Sequence, residues 1–428
     1  MTDVTVDYQE VTEDVAELHT DSLAIDDHVD DIIETHEHID TLSSVTARMS
    51  QGEAACSVES IRITNVLVNS VMRKLNITDE RPIPAIECFE NRFERKAAYR
   101  LATEGLTDVL VKIWRAIKNA IVNLWKRISA FIKKFFDAAQ KLSKMNEKLK
   151  SKLNDLTGYP GKDTFESLDI ATAFSHRNKV DVSNVLVVLD QHIKITKDLK
   201  NISSVLSIVG NRVRLAKLDY LSHVEGVIED PDRPIPGDAA IIGRATIGYD
   251  EISSQLKKSL LLVNSNDKEE GLIGVSDIPL IDGKVIKLYS NTNADKITEL
   301  EVDISTSKIP INKFVRVLSI NDMRSISKSI DELLKLQDVV VKSSESIGKF
   351  INDLTWLIND IEDTIKSLNN IDGRKDDIVE LMKAFDPLKA YFNSMMSVVN
   401  KVYTTVPAMN VRAGLASMKY CFESIDKY

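Results

Sequence analysis

Apolar residues recur at three- and four-residue intervals along most of the chain, the spacing of helices that bury one face. The clearest run is Leu106, Leu110, Ile113, Ile117, Ile121, Leu124, Ile128, Phe131, Phe135 and Leu142, which falls on one narrow face. It predicts a long helix from Gly105 to about Asp155, ended by Leu156-Thr-Gly158-Tyr-Pro160-Gly161. Upstream, Val11, Val15, Leu18 and Leu23, then Ile25, Val29, Ile32, Ile33, Ile39 and Leu42, predict a more weakly amphipathic helix. Further helices are expected over 58–75 and 86–103, with a break at Arg81-Pro-Ile-Pro84 between them.

Downstream, a helical block covers 183–222, and Glu229–Asp238 reads as a linker. From Asn321 to the end the helical spacing returns in two stretches, 323–368 and 378–402, divided at Gly373. Pro387 kinks or breaks the second. Such long paired helices suggest an antiparallel hairpin that closes a bundle. Met395, Met396 and Trp356 read as core positions within it. Only the middle changes period. Ile278–Ile281, Asp282-Gly283 and Lys284–Tyr289 read as a hairpin around a type I′ turn. Glu299–Thr306 alternates like a strand, and Phe314–Leu318 is a further one. The fold class is therefore mainly α: a long-helix bundle with a small β-rich insertion at about 240–318, interrupted by a helix over 249–263. The expected units are 1–104, 105–228, 239–318 and 319–428.

Composition agrees with this picture. Fifteen Gly and 10 Pro in 428 residues are too few for a loop-rich or fibrous chain. Three distant Cys without CxxC spacing suggest neither a disulfide framework nor a zinc site. No run of 18 apolar residues occurs, and the acidic N-terminus is unlike a secretory leader.

Charge changes the picture more. The net charge of −10 hides a strong asymmetry. Residues 1–60 carry 16 Asp/Glu against the single Arg48, a net of −15. Residues 105–155 carry 12 Lys/Arg against four acidic residues, a net of +8. On the long helix, Lys112, Arg115, Lys126, Lys133 and Lys141 lie opposite the apolar stripe. Arg127 and Lys134 flank it, and Trp114 and Trp125 sit at its other edge. This pattern fits a core helix of a bundle, an interfacial membrane helix with edge-placed aromatics, or a helix whose basic face meets phosphates or an acidic partner.

Local chemistry is sparse. GxGxxG, P-loop, GxSxG and HExxH motifs are all absent. His36 and His38 in Glu34-Thr-His36-Glu37-His38 point away from each other on a helix and have no second ligand cluster. No catalytic residue, metal or cofactor is assigned, and a non-enzymatic role is expected.

One junction stands out. At Leu101-Ala102-Thr103-Glu104-Gly105 the acidic head and its near-neutral spacer meet the basic helix. Ala102-Thr103-Glu104 resembles the small-residue–X–Glu motif after which the prohead protease of phiKZ-like giant tailed phages removes N-terminal propeptides from internal head proteins. Three other matches exist, at Glu59, Glu87 and Glu345, but only Glu104 coincides with the charge switch. The resemblance implies a virion structural protein made in the host cytoplasm, cut between Glu104 and Gly105, and packed in the capsid interior. Its implied partners are other capsid-interior proteins, the prohead protease and, non-specifically, DNA. On this reading the acidic head pairs with the basic helix until cleavage uncovers it. The cut would remove −13 and leave residues 105–428 at +3. The alternatives are a membrane-associated protein that uses the 105–142 helix for membrane contact, and a cytosolic helical scaffold or adaptor.

Overall fold

Scarce Gly and Pro leave long stretches of chain with nothing to interrupt helical hydrogen bonding, and the helices are correspondingly long. The computed structural model describes residues 2–50, 66, 68–70, 73, 92–174, 180–230, 250–265, 269–292, 298–306, 313–369 and 386–428. Helix α1 spans Thr2–Ser50, and helical backbone recurs at 66, 68–70 and 73. Helix α2 spans Arg92–Asp155, 64 residues or about 96 Å at 1.5 Å per residue. It runs through Ala102, Thr103, Glu104 and Gly105 without a break. It stops where Gly158 takes φ +95°, a left-handed conformation that costs glycine little. The expected breaks at Arg81–Pro84 and Gly373, and the linker after Asp230, lie outside the described residues.

The other elements are β1 (Thr164–Glu166), α3 (Leu168–Phe174), α4 (Val182–Glu229) and α5 (250–259), then β2 (Leu262–Val263), β3 (Leu272–Ser276), β4 (Lys284–Thr292), β5 (Thr298–Thr306) and β6 (Phe314–Arg316). Helices α6 (Ile320–Leu334), α7 (Gln337–Asn369), α8 (Asp386–Asn400) and α9 (Val406–Ile425) follow, with a π-turn at Lys401–Thr405 joining the last two. Local signals place several starts. Asp181 caps α4 by accepting from the Ser183 and Asn184 amides, and Ser319 and Asp322 form a capping box on α6. Pro387 stands in the first described turn of α8.

Helix α2 is the axis. Helix α1 runs antiparallel along one flank, with Asp14 beside Lys141 and His28 beside Ala120. Helices α6 and α7 run antiparallel along another. There Asn146 donates to the Ser327 carbonyl and Lys118 to Asn359. Helix α9 lies parallel to α2, and a Cβ on Gly414 would meet Leu142 at 2.5 Å. The stripe residues Ile113, Ile117, Ile121, Leu124, Ile128, Phe131, Phe135 and Leu142 are all buried in one core that also takes in α1.

The four-stranded antiparallel sheet has the order β2-β3-β4-β5. Its β5 edge is sealed by α8: Ser394 and Ser397 accept from the Leu300 and Val302 amides. One expectation is corrected here. Asp282 and Gly283 do take positive φ, and the Lys284 N–H bonds to the Ile281 carbonyl, but the strand paired with β4 is β3 rather than 278–281. Pro279 in that segment lacks the amide a ladder needs. Strand β6 belongs to a separate two-stranded sheet with β1, so the insertion's own sheet ends at Thr306.

The 281–283 turn is pinned to the bundle by a buried polar network. The Ile281 N–H donates to His192 Nε2, which leaves Nδ1 to donate to Asn410 Oδ1 at 2.8 Å. Asn410 donates to Thr196, and Thr196 to the His192 carbonyl. Burial pushes His192 down to about 4, partly offset by Asn410 and by Asp282. The native state thus holds it neutral while the unfolded chain takes a proton near its ordinary value of about 6.5. The network's stability is complete above that value and falls with pH through the window from 6.5 to 4, by roughly 3 kcal/mol. Denaturant midpoints measured across that range should show the decline, and the His192→Gln variant should lack this component of the pH slope.

Candidate functional site: the acidic helix on the basic axis

No cluster of His, Cys, Asp and Glu suited to a metal occurs among the described residues, and the feature that concentrates charge is the contact of α1 with α2. Helix α1 presents Val11, Leu18, Ile25, Val29 and Ile32 on one face, each no more than 2% exposed. The seven-residue steps from Val11 to Leu18 to Ile25 keep that face on one side over four turns. Four of the carboxylates that border it meet cations on the body. Asp14 pairs with Lys141 at 2.9 Å, and Glu17 and Asp21 grip Lys134 at 2.5 and 2.8 Å. The Arg127 guanidinium reaches the Ala24 carbonyl, and His28 donates to the carbonyl of Ala120. Asp26 closes the series against Lys401, with Asn400 at 2.5 Å. Near the helix start, Lys419 lies 5.9 Å over the Tyr8 ring.

Titration follows the pairing. Hydrogen bonds from Lys134 to Asp21 and Glu17 hold its ammonium above the ordinary lysine range, and the bond to Asp14 does the same for Lys141. Across the axis, burial pushes Glu362 up, but hydrogen bonds from Lys366 and Arg115 leave it below the usual carboxylate range. Arg115 reaches Glu362 at 2.5 Å.

The magnitudes separate grip from register. Full burial of one large aliphatic side chain contributes about 1.5–3 kcal/mol, so the five on α1 contribute on the order of 10 kcal/mol as an upper figure. The ion pairs are partly exposed, with Lys134 and Lys141 each 43% open, and such pairs contribute about 0–1 kcal/mol each. Apolar contact holds α1, and charge selects its position.

The expected basic face is therefore split three ways. Arg127, Lys134 and Lys141 turn toward α1, Arg115 turns toward α7, and Lys126 and Lys133 stay exposed. Lys112 is half-buried. The pair at the stripe edge is corrected. Trp114 is 2% exposed within the core, and Trp125 is half-buried against α7, where a Cβ on Gly348 would meet its ring at 2.5 Å. Trp114 is enclosed by neighbouring helices, and Trp125 keeps partial exposure at the edge of the contact with α7. The apolar face needed for membrane contact is used in protein contacts, and no described helix is long and apolar enough to cross a membrane. Met395 and Met396 are fully buried as expected, whereas Trp356 is 55% exposed on α7. Sequence spacing missed the π-turn contact at Lys401 and the Glu362 partner, since both lie more than 200 residues from the groups they meet. The side chains of Ala102, Thr103, Glu104, Gly105, His36 and His38 lie outside the description.

Two substitutions test the division of labour. Leu18→Ala should lower unfolding stability by about 2–5 kcal/mol, and Lys134→Ala by about 1 kcal/mol or less. Urea melts of the full chain measure both, and equal decreases would show that charge carries the grip.

Comparison with known proteins bears on this contact. No curated protein and no solved structure matches the chain. Residues 10–218 match the family model of phiKZ-like phage internal head proteins, a span that begins within α1, crosses the Glu104 junction and ends within α4. Residues 10–218 are thus similar to the phiKZ-like phage internal head proteins, the family that the junction at Glu104 resembles.

Proposed function

We propose that this is a non-enzymatic structural protein of the phage head, matured by cleavage between Glu104 and Gly105 and packed with DNA in the capsid interior. The family match is the observation that carries the reading. The charge layout supports it. A polyanionic interior would repel a chain of net charge −10, whereas residues 105–428 alone carry +3. Its assembly partners would be other capsid-interior proteins, after a stage in the host cytoplasm.

The prohead protease would meet Ala102-Thr103-Glu104 inside the N-terminal part of α2. A protease needs an extended segment, so the helix would have to open locally there. Such opening is least costly near a helix end, and Glu104 lies thirteen residues into α2. Mass spectrometry of the protein from purified particles should find Gly105 at the N-terminus of the body, and a terminus at Met1 or Thr2 would overturn the cleavage.

DNA contact would use the exposed part of the basic face, Lys126 and Lys133, which lie two turns apart and about 10 Å along the axis. Lys126→Glu with Lys133→Glu should weaken duplex binding alike for all sequences and reduce the salt slope by about 1 for each phosphate no longer neutralised. An unchanged salt slope would remove these residues from the interface.

A further inference from the structure

We infer that the uncut chain binds a small organic anion, an anionic head on an apolar body, in a cavity between α1 and the body. The cavity holds about 260 Å³ where α1 meets the 281–283 turn and the start of α9. Helix α1 contributes Val15, His19 and Ser22 to its walls, and the body contributes Lys284, Met409 and Arg412. Drug-sized ligands occupy about 300–1,000 Å³, so this ligand is smaller than those.

Two groups in the walls lack the partner their chemistry calls for. Ser22 is 4% exposed, and its hydroxyl has no hydrogen bond among the described residues. Other hydroxyls of α1 close onto the carbonyl one turn back, Thr12 on Tyr8 and Thr20 on Ala16. A buried hydroxyl without any partner is uncommon and marks the place of a ligand or a water. Lys284 is half-buried and has no ion pair among the described residues. Asp282 does not serve it, because Arg412 takes both carboxylate oxygens at 3.3 Å each. Lys284 therefore sets one unbalanced positive charge beside the apolar surface of Val15 and Met409. Burial and the Lys284 charge push His19 below the usual imidazole range, against the pull of Asp282. At neutral pH it thus offers a hydrogen bond rather than a second cation. A water could satisfy Ser22, but it would leave the ammonium unpaired and the apolar wall wet. An organic anion meets all three needs at once.

The body half of the site is preorganised. The turn that carries Asp282 and leads into Lys284 is already fixed by the bond from the Ile281 amide to His192. Because the walls come from both α1 and the body, an occupant stabilises the arrangement in which the two are docked. None of this requires the cut after Glu104. Where residues 1–104 are removed the site goes with them, so the ligand belongs to the uncut chain.

Isothermal titration of the full chain with benzoate, phenyl phosphate and neutral benzyl alcohol tests the site. At least one of the two anions should bind one to one with a Kd of about 1 mM or tighter. The preferred anion names the head group, carboxylate or phosphate. Benzyl alcohol should bind about tenfold more weakly or worse, for want of the charge-assisted bond to Lys284. Lys284→Met keeps the length of the side chain and should weaken the anion to a similar degree. Ala16→Phe, which sets a ring into the cavity from the α1 side, should abolish binding. The two variants lie on opposite walls, so a folding defect in one leaves the other to decide. The bound anion should also raise the urea midpoint of the parent chain and of neither variant. No binding by either anion, or equal binding of benzyl alcohol, would overturn the proposal. Binding unchanged in both variants would place the anion elsewhere and overturn the site.

Discussion

The apolar stripe of α2 is the constraint on which the structure depends. A helix of 64 residues with Ile, Leu and Phe on one face cannot remain in water, because each exposed side chain forfeits about 1.5–3 kcal/mol. The fold is the way that stripe is covered. Helix α9 runs with it, α6 and α7 run against it, and α1 covers a flank that the C-terminal half of the chain leaves open. Because α1 is both acidic and apolar on its inner side, it covers the flank and neutralises the cations at its edge in one contact.

The same stripe suits three readings in sequence, and the folded state shows what covers it. A stripe bordered by cations and tryptophans is compatible with a lipid interface, a polyanion or a protein core. The choice depends on which surface reaches the stripe, and in this chain it is other helices. Trp114 disappears into the core, and Trp125 closes against Gly348. Of the basic face read from the sequence, Lys126 and Lys133 stay exposed without a described partner helix.

The buried polar groups are organised with the same economy. Burial holds His192 neutral, and both of its ring nitrogens find partners, one in the Ile281 amide and one in Asn410. The network fixes the insertion's turn against α4 and α9, as Ser394 and Ser397 fix the insertion's edge strand against α8. A small sheet of this size is marginal alone, and side-chain bonds from helices supply the edge pairing it lacks.

The sequence by itself determined the mainly α class, the long helix from Gly105 to Asp155 with its end before Gly158, the strand at 299–306, and the opposite charges of head and axis. Each of these rests on local periodicity, local turn chemistry or simple counting, which need no knowledge of neighbours. Tertiary structure alone decided the rest. That β6 pairs with β1, 150 residues away, is invisible to alternation, because a strand's pattern does not name its partner. Trp356 reads as a core residue by its apolar bulk, yet it is 55% exposed on α7, because it falls off the Ile351, Leu354, Leu357 and Ile361 stripe that packs inward. Most of all, charge arithmetic could set an acidic head against a basic helix, but only the packed structure placed Asp14, Glu17 and Asp21 on Lys141 and Lys134 and showed that aliphatic burial between them does most of the holding. Net charge says only that head and axis attract, whereas the packed helices fix which carboxylate meets which cation.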